Sequence, residues 1–206
     1  KLEAIKDFDE AIKINKKYTE AYYERGKTRY SLNEKPAAKK DFTKVIELDS
    51  TYIDAYIARA DIYTDLGYPK QAYEDYEKAI EMNPEDPKAY IHRGKYRFQI
   101  KDIEGAIENY DKAIELDSTQ ATAYNNRGNA YLELGKWNKA MEDYSQAVEL
   151  NSKYAIAYYN RGLLRTDLGR VPEAIEDFQA AADIFLKRGK DKDYKDAMER
   201  IDELTP

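Results

Sequence analysis

One interval governs this sequence. Residues of the same chemical kind recur every 34 positions, and the register does not slip. Ala stands at Ala4, Ala38, Ala72, Ala106, Ala140 and Ala174, and four residues on comes an aromatic: Phe8, Phe42, Tyr76, Tyr110, Tyr144, Phe178. Three further on a small residue follows: Ala11, Val45, Ala79, Ala113, Ala147, Ala181. Earlier in each unit stand Tyr22, Tyr56, Tyr90, Tyr124 and Tyr158, each followed four residues later by Gly26, Ala60, Gly94, Gly128 or Gly162. Such a period is too short for a domain and too long for one helix. It marks stacked supersecondary units that cannot bury their apolar faces alone.

The spacing inside a unit is helical. Ala123, Tyr124, Arg127, Gly128, Tyr131 and Leu134 form one stripe, and Ala140, Met141, Tyr144, Ala147 and Val148 a second. Gly135, matched by Gly67 and Gly169, falls where a helix end calls for positive φ. Pro36 and Pro172 fall in first turns, which tolerate a missing N–H. Each unit therefore reads as helix A, tight turn, helix B, short loop. Asn15, Asp49, Asn83, Asp117 and Asn151 open the loops and are expected to be left-handed stops of helix B. Gly128 and Ala140 remove bulk where the two helices cross. Trp137 occupies the slot held by Ile103 and Val171 and is expected to pack.

These residues resemble the tetratricopeptide-repeat family, over residues 1 to about 187. The resemblance implies an all-α, right-handed α-solenoid of tandem 34-residue helix-turn-helix repeats with a C-terminal capping helix. One solenoid domain spans 1–206: a half repeat with helix B only at 1–18, full repeats at 19–52, 53–86, 87–120, 121–154 and 155–188, and a cap at 189–206. In the cap Tyr194, Ala197, Met198, Ile201 and Leu204 share an apolar face. Leu2, Ile5, Phe8 and Ile12 in the half repeat lack part of their cover. The chain opens at Lys1 rather than Met and is expected to be a piece of a longer sequence.

One position departs from the family pattern. Arg stands three residues after the first aromatic, at Arg25, Arg59, Arg93, Arg127 and Arg161, and sixteen residues further stand Asp41, Asp75, Asn109, Asp143 and Asp177. An anion-binding ladder is one reading. An Arg–Asp bridge between the helices of a repeat is the other, and is favoured because a partly buried Arg normally holds a carboxylate. Asn109 would leave Arg93 freer than the rest.

The resemblance implies that the A helices line a concave surface that binds a peptide or protein segment. The candidate contacts are Lys88, His92, Lys95, Asn125, Asn126, Asn129, Tyr159, Asn160 and Leu163. Asn126 and Asn160 can donate and accept at once, as extended peptide amides require. Lys88 and Lys95 would take an acidic group, and Tyr159 with Leu163 an apolar anchor. Glu20, Glu24, Asp54, Asp61 and Asp65 form an acidic strip suited to a basic segment. The clamp with which one subclass of the family grips acidic chaperone tails is incomplete: Asn129 and Asn160 match two of its positions, but Asn125 replaces its first Lys.

Composition narrows the rest. With no Cys and one His, thiolate metal sites, cysteine nucleophiles and an imidazole cluster are excluded, so no metal or cofactor is expected. A net charge of -6 argues against nucleic acid and anionic membranes as partners. No phosphate loop or hydrolase motif occurs, so a non-enzymatic interaction module or adaptor is expected, in a soluble, cytoplasmic setting. The alternatives are a self-associating scaffold, a homo-oligomer through the N-terminal half repeat, or the regulatory or targeting domain of a larger protein.

Overall fold

The computed structural model describes residues 1–205. Twelve α-helices lie among the described residues: α1 (Leu2–Ile14), α2 (Thr19–Ser31), α3 (Lys35–Leu48), α4 (Ile53–Asp65), α5 (Pro69–Met82), α6 (Pro87–Gln99), α7 (Ile103–Leu116), α8 (Ala121–Glu133), α9 (Trp137–Leu150), α10 (Ala155–Asp167), α11 (Val171–Lys187) and α12 (Asp191–Leu204). The A helices thus start at Thr19, Ile53, Pro87, Ala121 and Ala155, in register with the period. The chain groups into two compact units, Lys1–Tyr96 and Arg97 onward, with the boundary inside α6.

In the first unit α2 packs on α3 and α4 on α5, while α3 also packs on α4. Phe42 is fully buried with Ala38 and Ile62, and Tyr76 is buried with Tyr56, Ala60, Ala72, Ala79 and Tyr96. In the second unit the pairs are α8 with α9 and α10 with α11, and the cap α12 packs on α11. Tyr110 sits among Ile103, Ala106 and Ala130, and Tyr144 among Ala140 and Leu164. The recurring aromatic is therefore a member of each of these four clusters, where a buried ring contributes about 1.5–3 kcal/mol. Phe8, its equivalent in α1, is only half-buried, and α1 has no buried residue at all.

Small residues at the helix crossing are a steric requirement. A Cβ on Gly128 would lie 2.7 Å from the Tyr144 ring, so the B-helix aromatic rests directly on the A-helix backbone. Each A helix ends in the same turn. At the end of α8, Gly135 takes φ 69°, its N–H bonds the Leu132 carbonyl, and the Lys136 N–H bonds the Tyr131 carbonyl. Asn33 and Lys101 adopt the same left-handed conformation, with φ of 64° and 66°, in repeats that have no glycine there.

The loop Asn and Asp residues do not stop helix B in the left-handed region. Asn15, Asp49, Asn83, Asp117 and Asn151 have φ between -132° and -149°. Their side-chain oxygens accept the backbone N–H two residues on, as in Thr119 to Asp117 at 2.9 Å and Lys153 to Asn151 at 3.0 Å. The residue type is chosen for a local side-chain turn that satisfies the loop's N–H, and positive φ is not needed. Trp137 is also not core. It opens α9 with 46% of its surface exposed, whereas Ile103 in the same register is 6% exposed.

Candidate functional site

The Arg series pairs with Asp as the structural reading expects. Arg25 holds Asp41, Arg59 holds Asp75, Arg127 holds Asp143 and Arg161 holds Asp177, each through two nitrogens at 2.5–3.1 Å. The third nitrogen reaches the B helix of the preceding repeat: Asp9 from Arg25, Thr43 from Arg59, Asp111 from Arg127 and Ser145 from Arg161. Each guanidinium also lies 5.2–5.7 Å from the ring of the Tyr three residues before it. Burial alone would lower the Arg127 pKa, but the bonds to Asp143 and Asp111 outweigh it and hold the guanidinium above its ordinary value. These arginines are thus clamps between B helices, with all three guanidinium nitrogens already bonded within the protein. Arg93 is not freer: it pairs with Glu77 and lies over Tyr90. The i−16 positions, all polar and on the same period, were the available signal for the second contact.

In the first unit α4, α5 and α6 together carry a bonded cluster. The Tyr76 hydroxyl donates to Asp61 at 2.7 Å, and the His92 Nδ1 meets the same carboxylate at 2.9 Å. Lys88 and Lys95, on the same helix as His92, are exposed. The acidic strip is mostly satisfied from within. Glu20 accepts from Tyr52, Glu24 from Lys27, and Asp65 from Tyr30 and Lys35. Burial, with the charges of Asp54, Glu24 and Glu20, pushes the Tyr23 hydroxyl up to about 12. Of the five acids only Asp54 makes neither an ion pair nor a side-chain hydrogen bond among the described residues, so the strip is a structural network more than a free acidic surface.

In the second unit the structure brings four asparagines together on α8 and α10. Asn160 donates to Asn125 at 3.0 Å and to Asn129 at 3.2 Å, Asn125 donates to Asn126 at 3.3 Å, and Asn129 accepts from the Tyr144 hydroxyl at 2.7 Å. Asn125 is 2% exposed, so it does not face a partner as expected and instead supports the others from behind. The Asn126 amide nitrogen and the Asn160 carbonyl oxygen carry no bond within the described chain. The Asn129 amide nitrogen carries none either, so two amide donors and one acceptor are left unspent by a network anchored on a buried tyrosine. Asn129, Asn160 and Tyr144 stand in the registers of Asp61, His92 and Tyr76, so the same geometry is built twice with different chemistry. Tyr159 and Leu163 are half-buried on α10, with the Tyr159 ring 5.4 Å from Phe178.

Among the described residues no helix is long and apolar enough to cross a membrane. Profiles described as TPR repeat match residues 94–135 and 128–165, and one described as Tetratricopeptide repeat matches 19–52, 53–86 and 155–187. No curated protein sequence matches significantly. Among solved structures the chain resembles MamA, at 26% identity with a TM-score of 0.62 over 80% of this chain and 96% of that one. It also resembles YrrB, described as a TPR protein with an unusual peptide-binding site, at 25% identity and a TM-score of 0.56 over 86% and 91%. A tetratricopeptide repeat protein from Parabacteroides merdae shares the fold with a TM-score of 0.80, at 20% identity over 96% and 77%.

Proposed function

Because the chain belongs to the tetratricopeptide-repeat family, a family of protein–protein interaction modules that are generally non-catalytic, we propose that its second unit binds an extended peptide segment of another protein along the α8 and α10 inner face. The observation that carries this reading is the asparagine network. An extended peptide presents alternating N–H and C=O groups, and the Asn126 amide nitrogen and Asn160 carbonyl oxygen match one of each. Asn125 bonds both side chains, and Asn129, itself bonded by Tyr144, holds Asn160, which lowers the ordering cost of binding. Asn129 belongs to the support, and Tyr159 with Leu163 offers an apolar anchor beside it. In the first unit, Lys88, His92 and Lys95 would take an acidic group of a partner; among the acids of the strip, Asp54 is the one left to meet a basic group.

Selection from a random peptide library on the intact chain, followed by calorimetry on the selected peptides, tests this. Asn126→Ala with Asn160→Ala removes two neutral hydrogen bonds of about 0.5–1.5 kcal/mol each, so binding falls about 5- to 150-fold. Methylating the contacted backbone nitrogen of the peptide removes one of the two bonds, for a loss of about 2- to 13-fold. Peptides that bind wild type and the double variant equally refute the reading.

Self-association is the second reading, favoured by α1, where no residue is buried and Leu2 is 68% exposed. Sedimentation of wild type beside Leu2→Glu with Ile5→Glu decides it: a monomer at all concentrations removes it.

A further inference from the structure

Toward the end of the second unit, α10, the end of α11 and the start of α12 form an open cavity of about 210 Å³, lined by Ile156, Tyr159, Phe185, Asp193 and Asp196. Its origin is a length mismatch. Helix α11 has 17 residues where α9 has 14. The extra turn carries Phe185 past the last position of the period, and α12 folds back on it instead of starting a new repeat. The volume lies below the ~300–1,000 Å³ of small-molecule sites and suits a single side chain.

The walls and the rim differ in chemistry. Phe185 is 9% exposed, Ile156 is 50% exposed, and the Tyr159 ring is fixed edge-on against Phe178. Asp193 and Asp196, three residues apart on one face of α12, supply the rim. Neither carboxylate makes an ion pair or hydrogen bond among the described residues, whereas Asp41, Asp75, Asp143 and Asp177 are all paired. Arg200, four residues beyond Asp196 on α12, is engaged by Glu203 at 3.0 Å and by the Tyr159 hydroxyl.

Two uncompensated carboxylates above aromatic and aliphatic walls complement a cation that is itself flat and weakly hydrated. A guanidinium stacks on rings and donates in a fork to carboxylates, while an ammonium has no plane and holds its water. We propose that this cavity receives an arginine side chain of the bound partner segment. The inference rests on the reading that the partner lies along the inner face of α8 and α10, since Tyr159 belongs to both.

The test is a ¹⁵N-resolved titration of the full chain with N-acetyl-arginine methylamide, beside the lysine analogue and the neutral citrulline analogue. The arginine probe is expected to shift Ile156, Tyr159, Phe185, Asp193 and Asp196 saturably. Citrulline, isosteric but uncharged, is expected to bind about tenfold more weakly or worse, with lysine between them. Asp193→Asn with Asp196→Asn changes charge and not shape, and should cost the arginine probe the same factor; an unchanged circular dichroism spectrum verifies its fold. Equal response to arginine and citrulline, shifts spread over the acidic surface, or an unaffected double variant would overturn the proposal. The Asn126→Ala/Asn160→Ala protein should retain the arginine response. Selected peptides that need the asparagines but ignore Asp193 and Asp196 would therefore sink the cavity and spare the peptide reading, and the converse pattern would do the opposite.

Discussion

The arginine clamps should respond to truncation in opposite order in two neighbouring repeats. In the fourth full repeat, Asp143 is bonded by Arg127 alone, and its side chain is 7% exposed. Arg127→Ala therefore leaves a buried carboxylate without a partner, at a cost of about 3–4 kcal/mol. Asp143→Ala is milder. Arg127 keeps Asp111 at 2.6 Å and lies 5.4 and 5.7 Å from the Tyr124 and Tyr131 rings, so the loss is about 1–2 kcal/mol. In the fifth repeat the asymmetry reverses, because Asp177 is shared by Arg161 and Arg165, each at 2.7 Å. Arg161→Ala leaves Asp177 paired with Arg165 and costs about 1–2 kcal/mol. Asp177→Ala strips two cations of their carboxylate, leaving Arg161 the Ser145 hydroxyl at 3.3 Å and the Tyr158 ring, and Arg165 the Glu173 carbonyl, for about 3–5 kcal/mol. Urea unfolding followed by far-ultraviolet circular dichroism, with the slope unchanged among variants, gives the four values. Double-mutant cycles should give a coupling of about 1.5–3 kcal/mol in each repeat. The same order of sensitivity in both repeats, or additive losses in either, would refute the assignment of partners.

Three further outcomes follow from local geometry. Gly128→Ala gains about 1 kcal/mol of helix propensity but drives a methyl into a Tyr144 ring held by Asn129, an overpacking cost of about 1–3 kcal/mol. It should destabilise in thermal unfolding, and so should the opposite change, Ala60→Gly, at the same register. Lys101→Gly relieves a left-handed side-chain residue and loses an exposed bridge to Glu133 and an exposed contact 5.9 Å from the Phe98 ring, so it should stabilise by about 0.5–1 kcal/mol, and Asn33→Gly by less. Bonds from the Thr119 hydroxyl, Gln120 and the Thr119 N–H lower the Asp117 pKa below its ordinary value of 3.8. A depressed carboxylate contributes stability above the unfolded pKa, and that contribution disappears as pH falls through the folded value. An Asp117 titration followed by NMR should therefore have its midpoint below 3.8, and Thr119→Ala should bring it back up.

The period by itself determined the fold class, because a pattern of small and aromatic residues at fixed spacing admits one way of stacking helix pairs. It placed the helix starts, the crossing glycines and the Arg–Asp partners, all contacts set by sequence distance within one repeat. What it missed depends on direction in space. The loop Asn and Asp residues were legible as turn formers, but whether they act through backbone φ or side-chain oxygen depends on where the next N–H points. Asn125 and Asn126 are adjacent in sequence, yet one is buried and the other faces outward, because a step of one residue turns a side chain about a quarter of the way round the helix. The acidic strip looked free because its partners, Tyr52 for Glu20 and His92 for Asp61, come from the residue before α4 and from α6, not from the helix that carries the acid. The cavity at Phe185 and Asp193 was hidden for the same reason. It arises where the period ends, and only the fold-back of α12 decides which side chains meet there.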